Sequence, residues 1–222
     1  MPSFISHAGS TPGQVAEFIA DRLAALLADG KSVLWLLSGG SGGTVCAEAG
    51  QLLKQKVQDF SRLYVTMSDE RYGPVGHPDE NMAILLASGL DLPGATIYRP
   101  LSGKSRHETT ADFSNWLDQN KSQVDYSLAV LGIGADAHTS GIKPGSVATT
   151  TQGAAVDFDG DDFERITTTS HFLKTVDEAV VQAFGEPKQD VVKQLKLGEG
   201  NEAEAPMLAI RKIEKVTLFS DN

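Results

Sequence analysis

Residues 32–37 (SVLWLL) form an unbroken apolar run that stops at once in Ser38-Gly39-Gly40-Ser41-Gly42-Gly43. An apolar run of this length without alternation predicts a strand covered on both faces, as in a parallel sheet. Parallel strands need a crossover between them, and residues 44–57, just past the glycines, read as its helix. A strand, a glycine loop and a helix N-terminus in succession make an anion site. Unpaired amides and the positive end of the helix dipole then face the same point.

The same grammar recurs. Leu63–Met67 (LYVTM) reads as a strand ending in Ser68-Asp69-Glu70-Arg71. Residues 126–130 (YSLAV) lead into a loop holding Gly132, Gly134, Asp136, His138, Gly141, Lys143, Pro144 and Gly145. Glycines at that density let backbone amides approach a ligand closely. An acid and a histidine two residues apart supply a base and its orienting partner.

Apolar periodicity predicts helices over residues 16–27, 82–87, 106–121, 175–184 and 187–197. Short strands are expected at 95–98, 166–169, 206–210 and 215–219. Strands alternating with helices, without an internal repeat, imply one α/β domain over residues 1–222. Its expected form is Rossmann-like: a doubly wound, mostly parallel sheet with helices on both faces. Such sheets take their ligands at the carboxyl ends of the strands.

Composition narrows the function. The formal charge of −10 argues against a nucleic-acid surface or an anionic membrane face. It leaves room for a small anion, because a local cluster of Arg and Lys overrides the net field. The single Cys46 allows no intramolecular disulfide and no cysteine-based zinc site. The five histidines lack metal-ligand spacing, so no metal is expected. Residues 1–11 have neither a basic nor an apolar signal region, and no apolar run approaches membrane-spanning length. A soluble cytoplasmic protein follows. The acidic stretch 149–164, with Asp157, Asp159, Asp161, Asp162 and Glu164, reads as a mobile surface loop without the ordered spacing of an EF-hand.

The first glycine loop fails two nucleotide-binding tests. It lacks the Walker A lysine, and Val45 stands where a dinucleotide fingerprint has its last glycine. Residues 39–43 do satisfy Gly-x-Ser-x-Gly, which would make Ser41 a nucleophile. Only one strand precedes this loop, however, and Asp136 lies too near His138 to sit on the separate loop such hydrolases use. A phosphate monoester held by amides and Ser hydroxyls fits better.

At these residues the chain resembles the glucosamine-6-phosphate isomerase/6-phosphogluconolactonase family. Leu37-Ser38-Gly39-Gly40-Ser41 is similar to its LSGGS phosphate loop. Ser68-Asp69-Glu70-Arg71 and His77-Pro78-Asp79-Glu80-Asn81 resemble its DER segment and the asparagine element that follows. GIGADAHTSGIKPG, starting at Gly132, resembles the signature GxGxDGHTASLFPG. Arg165-Ile166-Thr167-Thr168-Thr169 and Gly185-Glu186-Pro187-Lys188 are similar to its RITLT and GxxK stretches. The chain departs from the pattern in Ala137 for glycine, Gly141 and Lys143 for serine and phenylalanine, and Gly42-Gly43 for Thr-Pro. If position 137 needs a positive φ, its Cβ costs roughly 1 kcal/mol.

The resemblance implies hydrolysis of 6-phospho-D-glucono-1,5-lactone in the pentose phosphate pathway, without a cofactor. The residues by themselves indicate only a phosphorylated small molecule. Arg71 stands where the family's deaminases carry tyrosine, and Lys143 where they carry a catalytic glutamate, which favours the lactonase branch. Under it, His138 is the general base and Asp136 orients or electrostatically supports it. Ser38, Gly39, Gly40, Ser41, Asp69, Arg71, Lys143, Arg165 and Lys188 bind the substrate. A non-catalytic sugar-phosphate-binding protein and an amino-sugar-phosphate deaminase are the alternatives. Monomer and homodimer are both compatible with the sequence.

Overall fold

In a computed structural model, which describes residues 3–221, the expected sheet is present and is wholly parallel. In chain order the elements are β1 (Ser3–His7), α1 (Pro12–Ala28), β2 (Val33–Leu37), α2 (Ser41–Lys56), β3 (Leu63–Met67), β4 (Asp69–Arg71), α3 (Asn81–Ala87) and β5 (Thr96–Ile97). There follow α4 (Arg106–Gln123), β6 (Tyr126–Gly132), β7 (Ala155–Asp159), β8 (Glu164–Thr168), α5 (Ser170–Leu173), β9 (Glu178–Ala183), α6 (Gln189–Leu197) and β10 (Lys215–Ser220).

The main sheet has the order β1-β10-β9-β6-β2-β3-β5. From β2 the chain winds through β3 to β5, and from β6 it winds the other way through β9 to β10. The winding reverses between β2 and β6, and the loops leaving these two strands open a crevice there. β2 is buried throughout and β6 at all but its two end residues, and their side chains alternate between two cores. Trp35 and Leu37 face Ile19 and Leu23 of α1 and Val45 and Leu53 of α2. Leu34 and Leu36 face Phe113 and Leu117 of α4 and Leu195 of α6. Helices therefore cover both faces.

Local chemistry sets the element ends. The first helix starts four residues before the apolar periodicity does, because Thr11 and Gln14 form a capping box with Pro12 in the first turn. The second starts at Ser41 rather than at residue 44, so Ser41-Gly42-Gly43 form its first turn.

Three expectations are corrected. Residues 175–184 were expected as a helix, but Glu178–Ala183 is the fully buried strand β9 between β6 and β10. A run buried on both faces has no amphipathic period, so periodicity cannot separate helix from strand there. Residues 206–210 were expected as a strand and instead belong to a 3-10 helix, Pro206–Lys212, opened by Pro206. The acidic stretch is not a loop throughout: β7 and β8 form a hairpin, which with β4 makes a three-stranded antiparallel sheet. Its carboxylates are held by Arg106, whose guanidinium reaches Asp157 at 2.8 Å and also contacts Asp159 and Glu164. The edge strand β1 and the short strand β4 had no sequence expectation, and both are too polar or too short to announce themselves.

Candidate active site

A cavity of about 310 Å³ occupies the crevice at the winding reversal. Its floor is the loop after β2 and the first turn of α2, Ser38 to Gly42. Gly40 adopts φ +54°, which turns the chain from strand into helix. Gly39 has no room for a side chain, because a Cβ there would run into Asn81. Asn81 in turn donates from Nδ2 to the Asp69 carbonyl at 3.1 Å, and its buried Oδ1 has no protein partner.

The wall above is the loop after β6. It folds back on itself: the Ala137 amide donates to the Gly134 carbonyl and the Gly134 amide to the His138 carbonyl, each at 3.0 Å. Ala137 takes φ +65°, so the position does require the left-handed region that the family's glycine would supply. The Met207 amide donates to the Ala137 carbonyl at 3.0 Å, and the Gly145 amide to Ala203 at 2.7 Å. The segment expected as a strand thus braces the loop from behind.

This folding brings Nδ1 of His138 into direct contact with Oδ1 of Asp136. The other carboxylate oxygen receives Lys143 Nζ at 3.1 Å. Partial burial opposes ionisation of Asp136, but His138 and Lys143 outweigh it and hold its pKa at about 2. The carboxylate is therefore charged at any ordinary pH. Asp136 stands behind His138 and outside the cavity lining, and with Nδ1 occupied the imidazole keeps Nε2 for substrate.

Two strands of the small sheet close the opposite side. Side chains alternate along β4, so Asp69 and Arg71 line the cavity while Glu70 points away. Arg71 and Arg165 are direct cross-strand partners, a like-charge arrangement that needs compensation. Both guanidiniums lie against the Phe163 ring, at 4.6 and 5.7 Å from its centroid. Asp162 grips Arg165 with both oxygens at 2.8 Å, and Asp69 lies 3.8 Å from it. Burial raises the Asp69 pKa, against the pull of Arg165 and Arg71. Lys188 completes the lining from beyond β9, and burial lowers its pKa. Among the described residues, neither Arg71 nor Lys188 has a carboxylate within ion-pair distance, whereas Lys143 and Arg165 do.

Every residue expected to bind substrate lines this one cavity: Ser38, Gly39, Gly40, Ser41, Asp69, Arg71, Lys143, Arg165 and Lys188, together with His138. Sequence reasoning missed Asn81, Ser140 and Asp162, which also line it. Asn81 had a signal, since it ends the polar element before α3. Ser140 and Asp162 had none, because their places depend on how the β6 loop and the β7–β8 turn fold. Ser41 is exposed at the helix start, and among the described residues no hydrogen bond joins its hydroxyl to His138, which leaves the nucleophile reading without support.

The fold and the site define a doubly wound α/β protein with glycine-rich loops and an Asp–His pair at the reversal point of the sheet. The chain belongs to the glucosamine-6-phosphate isomerase/6-phosphogluconolactonase family, whose model matches residues 8–219. A 6-phosphogluconolactonase of Rhizobium meliloti is 28% identical over 218 residues, covering 92% of each chain. One of Pseudomonas aeruginosa is 31% identical over 146 residues, 64% of this chain and 58% of that protein. This second alignment spans less than two thirds of the Pseudomonas protein. The crystal structure of a 6-phosphogluconolactonase from Shewanella baltica superposes with a TM-score of 0.79 at 26% identity, covering 99% of this chain and 97% of that one.

Proposed function

We propose that this chain hydrolyses 6-phospho-D-glucono-1,5-lactone to 6-phosphogluconate in the pentose phosphate pathway. The observation that carries the reading is the contact of His138 with an ionised Asp136 beside a cavity lined by cations and two glycine-rich loops. The names of the relatives supply the substrate.

In this mechanism His138 Nε2 takes a proton from water as its oxygen attacks the lactone carbonyl. Asp136 holds Nδ1 and stabilises the imidazolium that forms. Backbone amides of the glycine loops receive the charge on the tetrahedral oxygen. The ring C–O bond then breaks, and His138 returns its proton to the departing alkoxide. Arg71 and Lys188, which have no carboxylate within ion-pair distance among the described residues, hold the phosphate with Ser38–Ser41, and Arg165 lies beside Arg71. Asp69 and Asn81 take sugar hydroxyls. No cofactor takes part. The protein acts in the cytoplasm as one domain, monomer or homodimer.

The test is opening of freshly made lactone, measured above the spontaneous background, for wild type and His138→Ala. Acceleration by wild type and its loss in the variant support the reading. A wild type no faster than background that still binds 6-phosphogluconate would make the protein a sugar-phosphate binder. Ammonia release from glucosamine 6-phosphate would instead place it with the deaminases.

A further inference from the structure

Lys143 is the cation in the cavity that comes from the same loop as the base, and its Nζ is committed to Asp136. The aspartate is shared: one oxygen faces the imidazole and the other faces the ammonium. We propose that Lys143 is a positioning residue that acts on His138 through Asp136, fixing the carboxylate against Nδ1 and drawing off part of its charge. This deepens the lactonase reading and rests on it for its catalytic consequence.

The physical argument has two parts. A carboxylate bonded to one ring nitrogen stabilises the imidazolium and so raises the pH at which the base becomes available. A second cation on the same carboxylate offsets that effect, and its own charge also disfavours a proton on the ring. The geometry is also a clamp. With Oδ2 held at 3.1 Å by Lys143, the carboxylate cannot rotate Oδ1 away from Nδ1 without breaking an ion pair. Both groups are partly exposed, so the effect is a tuning of the site and not its main energy.

Other charges face His138 from the surrounding elements. From β4 come Asp69 and Arg71, from β8 and its turn Arg165 and Asp162, and from beyond β9 Lys188. Asp162 compensates Arg165, and Asp69 draws on both arginines. None of these is bonded to Asp136 among the described residues; Asp162 also feels the charge of Lys143, so Lys143→Arg, which keeps that charge, is the control for Lys143→Met.

The decisive experiment is a nuclear magnetic resonance titration of the His138 ring in the free protein, for wild type, Lys143→Met and Lys143→Arg. The Met variant is expected to move the His138 ring titration to higher pH, and the Arg variant to move it back. The acid limb of kcat/KM for lactone opening should move up by the same amount. An unchanged His138 titration in Lys143→Met overturns the proposal. So does a rise in KM with an unmoved acid limb, which would make Lys143 a substrate contact. The ring titration needs no turnover, so it decides the matter even if the lactone proves not to be the substrate.

Discussion

The Glu70 carboxylate accepts the backbone amide of Asn81 at 2.6 Å. It also takes the amides of Met82 at 3.0 Å and of its neighbour Arg71 at 2.8 Å. The run Asp69-Glu70-Arg71 therefore divides its labour across the strand. The outer two residues face the cavity, and the middle one turns inward to hold the start of α3, which carries Asn81. Burial pushes the Glu70 pKa up to about 8, against the pull of the three amides.

Removing that acceptor leaves buried amides without a partner. Glu70→Ala is expected to destabilise the fold by about 3 kcal/mol, the cost of stranding two or three such donors. Urea unfolding would measure it. A change of only a few tenths of a kcal/mol would mean that Glu70 does not anchor the helix.

Asp136→Asn keeps the shape and removes the charge. Lactone opening should fall by about 10²–10⁴-fold, as expected for loss of the carboxylate that orients a catalytic imidazole. The same variant has a stability signature. Asp136 is depressed from 3.8 to about 2, so its stabilisation is present above pH 3.8 and is lost as the pH falls toward 2. Acid unfolding of wild type and variant should differ near neutrality and converge at the acid end. Parallel curves throughout would contradict the assignment.

Gly134→Ala should be more harmful to turnover than to folding. A Cβ at this position would run into the His138 ring and Asp136, while the backbone there makes no demand for positive φ. The loop must shift to admit it, and a displaced base costs on the order of 10²-fold in kcat. Thermal melting and steady-state kinetics on the same sample check this. Full activity would show that the loop tolerates movement.

Ala137 sits at φ +65° and is 7% exposed, with its methyl in the core beneath the sheet. Glycine would relieve about 1 kcal/mol of backbone strain. It would lose a buried methyl and gain backbone freedom in the unfolded chain, each a comparable loss. Ala137→Gly is therefore expected to be mildly destabilising, by up to about 1 kcal/mol. Ala137→Val, which adds branching in the left-handed region, should cost roughly 2 kcal/mol or more. Chemical denaturation of the two variants side by side gives the answer.

Much of this protein can be read from its sequence because the informative patterns are local. The apolar run ending in Ser38-Gly39-Gly40 required a buried parallel strand and an anion loop. The spacing of Asp136 and His138 placed an acid beside a base on one loop. What failed were the segments whose neighbours decide their form. Glu178–Ala183 is a strand because β6 and β10 lie on either side of it, and covering both faces erases its period. The Pro206–Lys212 turn exists to brace Ala137, a contact spanning seventy residues of chain.

The charges divide in the same way. The sequence supplied the cations Arg71, Lys143, Arg165 and Lys188, with Arg71 at the end of β4 and Lys143 on the loop after β6. Only the tertiary structure decided which are already neutralised, since Asp162 meets Arg165 through a hairpin turn and Asp136 meets Lys143 through a folded loop. Sequence fixes which groups a chain carries and the local bends between them. Which of those groups face each other depends on packing between segments far apart in the chain, and the chemistry of this site is set by those encounters.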